Sequence, residues 1–117
     1  MTPTDLRALA ARVLAEEPSD ELRSAVLDAI GHHVPDGAFF DMWRPNPLTS
    51  HDAAFVAMPA GWTVHLFQTR DGDWHVQLYD PSCMMRWATL NPIPSLPRAL
   101  TAAGLLARAI EAEQETT

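Results

Sequence analysis

The stretch Trp62-Thr-Val-His-Leu-Phe-Gln-Thr-Arg-Asp-Gly-Asp-Trp-His-Val-Gln-Leu-Tyr79 decides the fold. Two runs of alternating apolar and polar residues flank Arg70-Asp71-Gly72-Asp73, the pattern of an antiparallel β-hairpin. Trp62, Val64 and Leu66 share one side of the first strand, and Trp74, Val76 and Leu78 share one side of the second. A tight Asp71-Gly72 turn would pair even with odd positions and split these two apolar sets across the sheet. A three-residue loop, Arg70-Asp71-Gly72 with a left-handed Gly72, pairs Leu66 with Val76 and Val64 with Leu78. The three-residue loop is therefore the expected one.

Helices flank this hairpin. Thr2 caps a helix that has Pro3 in its first turn and Asp5 at the positive end of its dipole. Leu6, Leu9, Ala10, Val13 and Leu14 follow at helical spacing. Pro18 ends that helix, Ser19 caps the next, and Gly31 ends it after the stripe Leu22, Ala25, Val26, Ala29 and Ile30. Residues 1–31 thus read as a helical hairpin. Residues 32–49 read as an irregular strap, punctuated by Pro35, Gly37, Pro45 and Pro47 and rich in aromatics. Ser50 caps a short helix over 51–58, and Pro59-Ala60-Gly61 leads into the first strand.

Beyond the hairpin, Asp80-Pro81-Ser82 is a turn, and Cys83 to Leu90 reads as a third strand. Ser95 caps a last helix, with Leu96, Leu100, Ala103, Ala107 and Ile110 on one face. Residues 111–117 should fray, since their glutamates meet the negative helix end.

From residue 50 the order is α-β-β-β-α, in a single domain of 117 residues whose core spans 50–110. One sheet face packs on the short and last helices. The other carries Thr63, His65, Phe67, His75, Gln77, Tyr79 and Trp87, and is too aromatic to be left to water. Placing the N-terminal hairpin on it gives an α+β fold. Its form is a three-layer α/β/α sandwich around an antiparallel three-stranded sheet.

Composition narrows the function. The chain carries 15 acidic and 8 basic residues, a net charge of −7, and every basic residue is arginine. That balance repels nucleic-acid phosphates and anionic membranes, and the missing lysine removes Schiff-base chemistry. No apolar run approaches the ~20 residues a bilayer crossing needs. One cysteine and a start without a signal peptide fit the cytosol.

No catalytic, cofactor or metal motif emerges. His65 and His75 share a sheet face but lack two further ligands at metal spacing, and both read as structural histidines under a helical cover. Cys83 beside two methionines reads as a buried small apolar group. Asp71 and Asp73 flank a turn glycine, which is turn chemistry first. The α-β-β-β-α order suits a double-stranded RNA-binding domain, but only Arg98 would serve its phosphates.

Asn46-Pro-Leu-Thr-Ser-His-Asp-Ala-Ala54, Pro59-Ala-Gly-Trp62, Gly72-Asp-Trp74 and Leu96-Pro-Arg-Ala-Leu100 together resemble the phage ABA sandwich domain. Asp20-Glu-Leu-Arg and Ala29-Ile-Gly31 look like the leader of such proteins. The resemblance spans roughly residues 18–108 and implies the same sandwich and a phage or prophage origin. It carries no catalytic residues and no defined role. The expectation is a non-enzymatic phage protein that binds a host or phage protein, needs no cofactor and touches no nucleic acid directly. Its partner would be a basic, nucleic-acid-binding surface of a host defence complex, inhibited stoichiometrically in the manner of an anti-CRISPR protein. Asp36, Phe39, Phe40, Asp41, Trp43, Asp71 and Asp73 are the candidate contact residues, aromatic anchors within an acidic rim. A phage accessory or structural protein, or a metal-binding protein using His65 and His75, are the alternatives.

Overall fold

A computed structural model describes residues 1–31, 46–50, 54 and 57–115. Among the described residues, three helices, α1 (Pro3–Ala15), α2 (Asp20–Ala29) and α3 (Leu96–Glu115), accompany strands β1 (Thr63–Gln68), β2 (Trp74–Tyr79) and β3 (Met85–Ala88). The strands form an antiparallel sheet in the order β1-β2-β3. The α+β class, the three-stranded antiparallel sheet and the N-terminal helical hairpin are those the sequence predicts.

The hairpin register is also as expected. Val64 lies opposite Leu78 and Leu66 opposite Val76. The Thr69 N–H donates to the Asp73 carbonyl at 2.8 Å, closing a loop over Arg70, Asp71 and Gly72, and Gly72 is left-handed at φ +87°. The caps follow the sequence too. Thr2 and Asp5 exchange backbone-to-side-chain bonds of 3.1 Å in a capping box, and the Ser19 hydroxyl accepts from the Leu22 N–H. Of the short helix expected over 51–58, Ala54 is helical and its N–H reaches the Ser50 carbonyl at 2.9 Å.

The helical layer differs from the sandwich arrangement. α3 is buried on every side from Ala99 to Ala107, so no single stripe describes it. On one side it meets Trp62, just before β1, with Val76 and Leu78 of β2, and on another Leu6, Leu9, Ala10 and Val13 of α1. On a third side lie Pro47, whose carbonyl accepts from the buried Thr101 hydroxyl at 2.7 Å, and Ala57. The N-terminal hairpin therefore sits on α3 and not on the second sheet face. An all-round Ala/Leu helix offers more apolar surface than a sheet face interrupted by His, Gln and Thr, and α1 goes where more is buried.

Arg98 locks that seat. Its guanidinium donates to the Val13 carbonyl at 2.8 Å, to Leu14 at 3.1 Å, and to the Glu16 carbonyl. These are the carbonyls that the end of α1 leaves unpaired, so an arginine from α3 supplies the cap α1 lacks locally. The last turns of α3 do not fray before Glu115. Glu111 accepts the Trp62 indole N–H at 2.6 Å, and Glu113 takes Arg7 in a two-bonded pair at 2.8 and 3.0 Å. Tertiary partners override the unfavourable helix dipole.

The third strand is shorter than expected and out of phase. Tyr79 faces Met85 but Leu78 faces Trp87, leaving Arg86 as a bulge residue. One extra residue flips the face, so Trp87 joins the core side and Met85 the second face. Cys83 belongs to the preceding turn, left-handed at φ +66° and exposed rather than buried. Asp80 holds that turn together. Its Oδ1 accepts from the Ser82 hydroxyl at 2.6 Å and from the Ser82 and Met84 N–H groups, while Oδ2 pairs with Arg86 at 3.2 Å.

The Ser82 hydroxyl first, then the Met84 N–H and Arg86, hold the Asp80 carboxyl down to about 2 from its ordinary 3.8. A depressed folded-state value means the stabilisation is complete above the unfolded value and disappears as pH falls through the folded one. Asp80→Ala should accordingly lower the melting temperature at neutral pH. The gap from wild type should close as pH drops from about 4 to about 2. A gap of constant size across that interval would show that the carboxylate charge is not what orders the turn.

Candidate functional site

The face opposite α3 is open. β1 contributes Thr63, His65 and Phe67; β2 contributes His75, Gln77 and Tyr79; the bulge adds Met85 and Ala88 from β3. Phe67 and Met85 are each 51% exposed, unusual for large apolar side chains on a sheet. His65 is exposed and His75 half-buried, so the helical cover expected over them is absent. None of the eight side chains is an Asp, Glu, Lys or Arg.

Neighbouring side chains order the face. The His65 ring lies 4.5 Å from the Tyr79 ring, tilted by 40°, and the Tyr79 hydroxyl donates to Gln77 Oε1 at 3.0 Å. His75 Nδ1 lies 3.1 Å from the Thr89 hydroxyl, which also accepts the Val76 N–H at 3.1 Å. Two shallow hollows result. One of about 300 Å³ lies beside Phe67, His75, Gln77 and Ala88; the other, of about 280 Å³, is lined by Thr63, His65, Tyr79 and Cys83.

His65 and His75 sit diagonally across the β1–β2 pair, where His65 faces Gln77 and His75 faces Phe67. Among the described residues, no three His, Cys, Asp or Glu side chains converge in a way that could hold a metal ion. No described helix is long and apolar enough to cross a membrane.

Of the residues predicted to touch a partner, Asp71 and Asp73 lie in the β1–β2 loop at one end of the sheet, the first exposed and the second half-buried. Asp36, Phe39, Phe40, Asp41 and Trp43 lie outside the described residues. Asp80, at the other end of β2, is only 8% exposed and committed to its own turn and Arg86. That Ala88 takes the place expected for Trp87 on this face was not legible, because nothing in Met84-Met-Arg-Trp-Ala88 announces a bulge. No family model, curated protein or solved structure matches the chain, so the resemblance to the phage ABA sandwich domain rests on the residues that carry it.

Proposed function

We propose that the protein acts without catalysis, by binding another protein through the open sheet face. The observation that carries this reading is the exposure of Phe67 and Met85 on a face that holds no charged side chain. A rigid apolar centre rimmed by polar groups is what protein contacts are built on, and aromatic and methionine side chains are enriched there. Net charge selects the partner. A chain at −7, with Asp71 and Asp73 at one end of this face, associates fastest with a basic surface.

Basic grooves belong to machines that handle nucleic acids. The specific form of the proposal is a phage or prophage protein that blocks a host defence complex stoichiometrically by occupying its nucleic-acid groove, as anti-CRISPR proteins do. The charge balance and the resemblance named above support it. Reversing Asp36, Asp41, Asp71 and Asp73 to arginine changes the net charge by about eight units and should abolish protection of phage in a host carrying the targeted defence. Phe67→Ala with Met85→Ala should weaken protection without changing the charge. Protection undiminished in both variants would sink the reading.

A further inference from the structure

The two edges of the sheet differ. β3 spans four residues, is broken by a bulge and carries Arg86, features that discourage pairing with another strand. β1 spans six residues in regular register, with no proline and no charge. From Pro59 to Thr69 the chain holds no Asp, Glu, Lys or Arg. Among the described residues, β1 pairs on one side only, with β2.

Backbone direction follows from the loop. The Thr69 N–H points to Asp73, so Phe67, His65 and Thr63 also turn their polar groups to β2 by alternation. Val64, Leu66 and Gln68 then direct theirs outward. β2 agrees: Trp74 and Val76 bond on the opposite side, to Ile93 and Thr89.

We propose that two copies of this chain join through β1, antiparallel about a two-fold axis at Leu66, into one continuous six-stranded sheet. In that register Val64 lies opposite the second copy's Gln68, and Leu66 opposite its counterpart. All the outward N–H and C=O groups of Val64, Leu66 and Gln68 are then used. An axis at His65 is poorer. It sets Gln68 against Trp62, whose N–H already bonds to the Pro59 carbonyl at 3.4 Å. An axis between two residues would place the two core faces on opposite sides of the joint sheet.

Side chains favour the same register. His65 falls opposite the second copy's Phe67 at a non-hydrogen-bonded pair, where side chains approach most closely, so the exposed Phe67 gains cover. On the core side, Val64 and Leu66 are still partly exposed while Val76 and Leu78 of β2 are fully buried; an added strand gives them a neighbour. Self-association of a chain at −7 is opposed everywhere acids meet, and this edge holds none. A strand-edge joint buries less than the roughly 1,200 Å² of a standard interface, so the dimer is weak and concentration-dependent. It does not rest on the partner proposed above.

Sedimentation analysis of the full chain over a wide concentration range tests this directly. The 12.9 kDa species should give way to one of twice the mass as concentration rises. Phe67→Lys should weaken dimerisation about tenfold, or about 1.4 kcal/mol. Adding His65→Glu in the same chain should restore it, because each introduced ammonium then faces the carboxylate introduced in the second copy. Gln68→Pro, which removes an outward N–H and no β1–β2 bond, should weaken it similarly. Met85→Lys, equally exposed but beside β3, should leave it unchanged. A monomer at every concentration would overturn the proposal. So would Met85→Lys weakening the dimer as much as Phe67→Lys, or a folded double variant that does not recover.

Discussion

Trp62→Ala is expected to lower the folding stability by about 3–5 kcal/mol, the cost of truncating a buried aromatic. Trp62 is the tryptophan that the fold closes on. It is 8% exposed within the main core cluster, whereas Trp74 is only half-buried. Its ring fills the space between the start of β1 and α3, and its indole N–H donates to Glu111 at 2.6 Å. Truncation removes both, leaving a cavity and a carboxylate without its donor. For a small domain such a loss is a large part of the total, typically about 5–15 kcal/mol. Trp62→Phe separates the two contributions, since it keeps most of the apolar volume and removes the N–H. Chemical denaturation should rank the stabilities as wild type, then Trp62→Phe, then Trp62→Ala. Equal midpoints for all three would mean that Trp62 does not clamp α3 to the sheet.

Gly104→Leu is expected to cost about 3 kcal/mol or more, at the upper end for overpacking. Even a Cβ at Gly104 would lie 2.7 Å from the Ala57 carbonyl carbon and Cβ and 2.9 Å from the Ala57 oxygen. Most of what it meets is backbone, which cannot rotate aside as a flexible side chain does. That backbone is also tied to α3, since Arg108 Nε donates to the Ala57 carbonyl at 2.7 Å. Gly104→Ala calibrates the effect. An alanine in mid-helix normally gains about 1 kcal/mol over glycine. Here the clash, about 1–3 kcal/mol, should cancel or exceed that gain. A Gly104→Ala protein more stable than wild type by the full propensity difference would show that the 57–104 contact is looser than described.

The positions where sequence and structure agree share a feature: the deciding interactions are local. Val64 and Leu66 meet Leu78 and Val76 because period-2 alternation and a three-residue loop admit one register that keeps both sets on one face. Thr2, Ser19 and Gly31 mark helix ends through bonds to residues three or four places away. The candidate site was legible only in part. Thr63, His65, Phe67, His75, Gln77 and Tyr79 follow from alternation as one face, but alternation is silent on whether that face is covered.

Coverage is a competition between surfaces, and the sequence by itself does not rank the competitors. The five-residue stripe expected on α3 left Thr101, Ala102, Gly104 and Leu105 unassigned; in the folded chain these too are buried, and α3 draws α1 away from the sheet. Arg98 reads as a surface cation until the end of α1 arrives beside it with unpaired carbonyls. Met85 and Trp87, two residues apart, lie on opposite faces because one residue, Arg86, is accommodated as a bulge while it reaches Asp80. Strand register, loop type and helix caps were thus determined by residues near one another in the chain. The open face was decided only by tertiary structure, because burial goes to whichever apolar surfaces fit together best once all of them are present.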